Sequence, residues 1–295
     1  MYGRDEFDRT ACGQMDIKNY HDCLSRSAMW QSMVKRDIPR AWCSPAIRVQ
    51  RCPEVVLSVR SRITDVLTRT RGALTGNGLA PWFGRLMVED AFITSAPLNA
   101  DLIGLPMGLS LRPMAWSDNI LAFGASAKVA AQILANIAQV LRFMYLYIKD
   151  DSTEIVPACS RKMDWPGISL DGLNFAVRHE MKCVGYWITC NGDSRKSRAL
   201  MLGALRGKLS LMDRRFAGVP QNVRARWWQT HSRGIVGFTA PFLGCSLLLS
   251  RQLNVVNSCA ARKVLGVGAN YHVSSELQRI QSHYKICLHD FSFEV

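Results

Sequence analysis

The chain has 295 residues, 48% hydrophobic and 20% charged, which is enough for one large or two smaller cores and too apolar for a disordered majority. Its 37 Lys and Arg against 23 Asp and Glu leave a formal charge of +14, pointing to a polyanionic partner. The amino-terminal MYGRDEFDRTACGQMD lacks an apolar h-region and carries acids, so neither a secretory signal nor a transit peptide is expected; the reading is an intracellular, nuclear or cytoplasmic, non-secreted protein.

Gln14–Ile17 is a short apolar-edged segment containing Asp16. After Asp22, which reads as a helix cap, CLSRSAMWQSMVKRDI places Leu24, Met29, Met33 and Val34 on one helical side until Pro39 stops it. Residues 39–51 read as a second short helix. EVVLSVRSRITDV (54–66) alternates like a strand, and RGALTGNGLAPW (71–82) is a loop leading into a helix over 82–92. Residues 96–113 are broken by Pro and Gly, and 114–124 reads as strand–turn–strand around Asp118-Asn119. That pair is either an ordinary β-turn or a paired-acid metal turn with one acid replaced by its amide.

Ala127–Ile148 is an amphipathic helix with Val129, Ile133, Ile137, Val140, Leu141 and Met144 at spacings of three and four. Cys183–Thr189 reads as a short strand. From Arg195 onward the pattern is helical, with Leu202, Leu205, Leu209, Met212 and Phe216 in one stripe. Between Arg195 and Arg233 ten basic residues face the single acid Asp213, a local charge of +9. Trp227 and Trp228 lie within this run, as core residues or as platforms for base stacking. The composition shift near residue 190 marks the expected boundary between units 1–190 and 191–295.

The longest uncharged window, 234–250, has 17 residues with three glycines and Pro241, short of the roughly 20 apolar residues of a membrane span. A buried, interrupted helix and no membrane partner are expected. Ten scattered cysteines form no C-x-x-C pair and read as reduced.

Taken in order, MDIKNYHDCLSRSAMW (15–30), RGALTGNGLAP (71–81) and WSDN (116–119) resemble the first acidic motif, the Gly-x-x-Gln-Gly…Pro loop and the aromatic-x-Asp-Asp turn of reverse transcriptases, especially those of non-LTR (LINE-type) retrotransposons. LYIKDDSTEIVPA (146–158) and KCVGYWIT (182–189) resemble the segment after the active-site helix and the primer-grip strand, and the basic tail resembles a thumb.

The resemblance implies an α+β fold, a right-hand polymerase palm with a mainly antiparallel sheet backed by helices and a remnant of fingers (1–190), then a basic helical thumb or connection region (191–295). It implies RNA-directed DNA polymerisation on an RNA or DNA template-primer. Asp16 and Asp118 would be catalytic and would hold two Mg²⁺ (or Mn²⁺) ions, joined by Asn119. His21, Gly72, Thr75 and Gly76 would contact nucleotide and template; Val184, Gly185 and Tyr186 would form the primer grip. Arg195, Lys196, Arg198, Arg206, Lys208, Arg214, Arg215, Arg224 and Arg226 would lie along the nucleic-acid backbone.

Several positions depart from the family's pattern. Asn119 replaces the second turn acid, so metal binding weakens. His21 stands for the aromatic that limits the sugar 2′ position, Tyr20 for a small residue, Thr75 for Gln, and Ser152 near a lysine. Only 15 residues precede Asp16, so a longer or separate chain is expected to supply fingers and endonuclease functions. A catalytically inactive, nucleic-acid-binding relic and an unrelated basic helical scaffold remain open readings.

Overall fold

The computed structural model describes residues 10–50, 54–55, 58–59, 62–63, 67–68, 71–73, 78–102, 111–159, 166–216, 218–243, 247–268 and 270. Thr75 and Gly76 lie outside the described residues. Two compact units divide between Gly192 and Asp193.

The first unit is organised by β1 (Ala11–Asp16), a run of small and apolar residues that is buried along nearly its whole length. Such a run suits a central strand covered on both faces. Strands β6 (Met114–Trp116), β7 (Asn119–Gly124), β8 (Glu154–Pro157), β9 (Ile168–Leu170) and β10 (Leu173–Val177) complete a six-stranded sheet in the order β6-β7-β1-β8-β10-β9. Every neighbouring pair is antiparallel except β8 and β10. Along β7 the side chains alternate in period two: Ile120 and Ala122 face the main core, whereas Leu121 and Phe123 join Cys12, Val156, Met181 and Cys183 in a smaller cluster. The β11 (Glu180–Cys183)–β12 (Tyr186–Thr189) hairpin contributes to that second cluster.

Among the described residues five helices precede the second unit: α1 (Tyr20–Cys23), α2 (Arg26–Val34), α3 (Arg40–Gln50), α4 (Ala80–Asn99) and α5 (Ala127–Phe143). Helix α5 buries Ile133, Leu134, Ile137, Val140 and Leu141, and Ser126 caps it by accepting from the Val129 N–H at 3.2 Å. Arg36, just after α2, bonds Asp90 of α4 at 2.6 Å, and the Ser32 hydroxyl donates to the same carboxylate. A buried acid is thereby paired and hydrogen-bonded.

Several elements differ from the sequence reading. Ser25, not Asp22, caps α2, because the chain first makes the short turn α1. The alternating stretch 54–66 is not one strand: β3 (Ser58–Val59) pairs with β4 (Arg62–Ile63), and β2 (Glu54–Val55) with β5 (Leu67–Thr68). Helix α4 runs on to Asn99 with Pro97 in its last turn. The segment 183–189 is the turn and second arm of a hairpin, since Val184 (φ 49) and Gly185 (φ 89) both take left-handed conformations, as a type I′ turn requires.

Among its described residues the second unit forms α6 (Arg195–Arg215), α7 (Gln221–Leu243) and α8 (Leu247–Leu265). Met201, Leu202, Leu205, Leu209 and Met212 form the buried stripe of α6 against Trp228, Leu253, Val256 and Ala260. Trp228 is only 1% exposed, and its indole N–H donates to Asn257 at 3.4 Å, so it is core and no base platform. The uncharged window 234–250 is divided between the end of α7 and the start of α8. Among the described residues no helix is long and apolar enough to cross a membrane. The described cysteines are free thiols; burial pushes the Cys12 thiol well up and that of Cys183 to about 11, so both stay protonated and unreactive.

At Gly124 a Cβ would sit 2.5 Å from the Ala130 backbone N, so the start of α5 can lie against β7 only without a side chain there. Gly124→Ala is expected to destabilise by about 1–3 kcal/mol. Gly203→Ala, in open space within α6, should instead stabilise by about 0.5–1 kcal/mol. Urea midpoints measure both, and equal signs would contradict this packing.

Candidate active site

Register places Asp16, the last residue of β1, opposite Asn119, the first of β7. The two-residue turn Ser117-Asp118 connects β6 to β7, with Trp116 paired to Asn119. Ser117 takes φ 57, the positive value that a tight hairpin needs at its first turn position. The Asp118 carbonyl accepts from the Ile17 N–H at 2.9 Å, which ties the turn to the chain leaving β1.

Asp16 is braced from the far side. Its N–H donates to the Ser152 hydroxyl at 3.0 Å, and its carbonyl accepts from the Lys149 N–H at 2.9 Å. Sequence reasoning marks Ser152 only as a missing lysine; its role as a brace depends on a contact 136 residues away. One carboxyl oxygen of Asp16, Oδ1, is buried without a hydrogen-bond partner.

The two acids meet. Burial first, then the charge of Asp118 and a hydrogen bond with it, raise the Asp16 carboxyl above its ordinary value of 3.8; Lys149 pulls the other way. Like carboxyls at close range favour a proton, or a cation in its place. The Asn119 side-chain amide donates to Asp118 Oδ1 at 3.3 Å, steadying that carboxylate and leaving the amide oxygen as its own ligating atom.

Tyr20 is a neighbour that the sequence reading underrated. Its ring lies against α4 at Gly84, where a Cβ would be 2.6 Å from the hydroxyl. The hydroxyl is buried without a partner, and burial with the Asp118 charge holds the phenol neutral by raising its pKa. A groove of about 580 Å³ adjoins it, lined by Arg85 and Phe92 of α4 and by Met114, Trp116 and Ser117.

His21 lies in α1, its carbonyl accepting from the Ala73 N–H at 2.7 Å; the Gly72 N–H donates to Leu24 at 2.9 Å. The start of the glycine loop is therefore stitched to the segment that follows Asp16, with Gly72 at φ 86. Val184 and Gly185 make the hairpin turn and Tyr186 opens β12. That hairpin is pinned to β1 by the Gln14 side chain, which donates to the Lys182 carbonyl at 3.1 Å.

In the second unit, Arg195, Lys196, Arg206, Arg214, Arg215 and Arg226 are exposed, and Arg198 and Lys208 are half-buried. Arg195 pairs with Asp193 at 2.6 Å, and Asp213 pairs with Lys263. Arg224 departs from the expected phosphate contact. Its guanidinium donates to the Lys263 carbonyl at 2.7 Å, satisfying an orphan carbonyl at the end of α8. Trp227 packs its ring between Phe216 and His231.

No protein-family profile matches this chain, and no curated protein matches it. Among solved structures it is similar to telomerase from Candida tropicalis in complex with a TWJ fragment of telomeric RNA, at 10% identity and a TM-score of 0.52 over 96% of this chain and 50% of that one. Telomerase from Candida albicans, also with a TWJ fragment of telomeric RNA, aligns at 12% identity and a TM-score of 0.36 over 99% of this chain and 49% of that one. The chain thus spans about half the length of these telomerase chains. What the chain shares with the Candida tropicalis telomerase is the fold, here an α+β arrangement with a mainly antiparallel sheet backed by helices.

Proposed function

We propose that this chain is the palm and thumb of an RNA-directed DNA polymerase, related to those of non-LTR retroelements, that extends a primer on an RNA or DNA template. The observation that carries it is the meeting of Asp16 and Asp118, brought from a strand end and a hairpin turn 102 residues apart in sequence. Hard carboxylate oxygens converging on one point are what Mg²⁺ needs, and the partnerless Asp16 Oδ1 is a ready ligand atom. Asp16, Asp118 and the Asn119 amide oxygen would hold the ion or ions. The chemistry such ions supply is activation of a primer 3′-hydroxyl and stabilisation of the leaving oxygens. The chain's own residues hold the acids: Ser152 fixes the Asp16 backbone, and Asn119 orients Asp118. The exposed bases of α6 and α7 would meet phosphates.

One observation favours the second reading, a nucleic-acid-binding relic without catalysis. Among the described residues no group of three or more His, Cys, Asp or Glu side chains is arranged to hold a metal, so two acids and an amide stand alone. Primer extension with Mg²⁺ and then Mn²⁺ separates the readings. The polymerase reading expects extension that falls about 100-fold or more in Asp118→Ala, the scale of losing one preorganised charge-stabilising group. Salt-sensitive binding with no extension in either metal would establish the relic.

Because the Asp16 carboxyl is raised in the folded state, folding takes up protons and stability falls as pH climbs from 3.8 through that raised value. Asp118→Asn removes the opposing charge, so its melting temperature should fall less over the same range. Mg²⁺ at pH 7 should raise the melting temperature of the wild type more than that of Asp118→Asn; an equal rise would count against cation binding at the pair.

For duplex DNA, log Kobs should fall with log salt, and each phosphate contact removed should make the slope shallower by about 0.9. Arg214→Ala with Arg215→Ala, which removes two such contacts, should make it shallower by about 1.8. Arg224→Ala should lower stability yet leave the slope unaltered, and a shallower slope there would return Arg224 to the contact surface.

A further inference from the structure

Helix α5 ends in a Schellman turn. The Leu146 N–H bonds to the Leu141 carbonyl at 2.9 Å and the Tyr145 N–H to the Arg142 carbonyl at 3.0 Å, the paired bonds of that motif. The position between must be left-handed and usually carries glycine, but here it is Tyr145 at φ 61. A bulky residue held in that region is strained, and such strain persists where the surroundings enforce it.

The turn directs three aromatic side chains outward: Phe143, Tyr145 and Tyr147 are 77%, 55% and 51% exposed, while Leu146 between them is fully buried and anchors the segment. Cations accompany them. The Arg71 guanidinium lies 5.5 Å from the centre of the Tyr145 ring, and the exposed Lys18 is held beside Tyr147 by its backbone N–H, which donates to the Tyr147 carbonyl at 2.9 Å. Lys18, Asn19, Arg142 and Tyr147 also line a cavity of about 470 Å³, with Asp150 as its acid. That volume falls within the range of small-ligand sites.

The geometry points to a binding site for single-stranded nucleic acid on this segment: unpaired bases stack on Tyr145, Tyr147 and Phe143, and Lys18, Arg71 and Arg142 take the phosphates. Exposed aromatics interleaved with bases are the recurrent means of holding a single strand without regard to its sequence. A duplex keeps its base faces covered and cannot use the rings. The cations beside the rings and the charge of +14 favour a polyanion. The site extends the nucleic-acid reading above to an unpaired strand, and it employs neither Asp16 nor Asp118.

Fluorescence anisotropy on the full chain tests it, with a labelled oligothymidylate, the same strand made abasic, and a duplex. Tyr145→Gly should raise the melting temperature, because glycine suits the left-handed position, and should weaken oligothymidylate binding about tenfold, the scale of losing one stacked base. Tyr147→Ala should weaken it similarly without the gain in stability. Neither variant should change binding of the abasic strand or the duplex. Unchanged oligothymidylate affinity in both variants, or an equal loss on the abasic strand, overturns the assignment. The polymerase reading fails separately, by absent primer extension in the wild type, whichever way the anisotropy falls.

Discussion

Antiparallel pairing of β1 with β7 sets Asp16 opposite Asn119 and therefore beside Asp118, so the sheet register forces two like charges together. Much of the first unit serves this placement. The buried length of β1 fixes its axial position, because a slip of one residue would exchange the side chains that Ala11 and Met15 give the main core with the one that Cys12 gives the smaller cluster. The tight turn at Ser117 then delivers Asp118 to the strand end, and Ser152 and Lys149 hold the Asp16 backbone from the opposite edge. The cost is a half-buried carboxyl with an unpartnered oxygen, an arrangement that a sheet under no chemical demand would avoid.

Strain and unsatisfied polar groups gather around the same region. The Tyr20 hydroxyl and His21 Nδ1 are buried without partners, Ser117 and Tyr145 are left-handed, and Gly72 lies bonded to Leu24. The second unit is ordinary by comparison. Its three described helices bury a continuous apolar stripe, α8 closes with the Val267 N–H bonded to the Arg262 carbonyl and with Arg224 on the next carbonyl, and most of its other described bases are exposed. Here most of the charge lies on the surface of a well-packed scaffold, whereas at Asp16 and Asp90 in the first unit it reaches into the packing.

Much of the secondary structure was legible in the sequence. Of the stripe expected over 127–148, Ile133, Ile137, Val140 and Leu141 are buried in α5, Val129 is half-buried, and Met144 lies past the helix end at Phe143, where the chain turns; the strand–turn–strand at 114–124 appears as β6 and β7. The buried residues of α6 are those of the predicted stripe apart from Ser197, Met201 and the half-buried Phe216. Other features were hidden by their locality. Alternation over 54–66 cannot tell one strand from paired short arms, Val184 gives no sign of a left-handed turn, and β9 and β10 carry no periodicity long enough to read.

The sequence by itself determined the acids, the basic run and the periodicity of the helices, because composition and short-range spacing are properties of the chain. Tertiary structure alone decided that Asp16 and Asp118 share one environment, that Ser152 braces the first of them, that Tyr20 lies under the second, and that Trp228 and Arg224 serve the packing of the helical unit. Each of these is a contact between residues distant in sequence. Such contacts exist only once burial and strand register have brought separate segments together, and no local pattern records which side chain will then stand beside which.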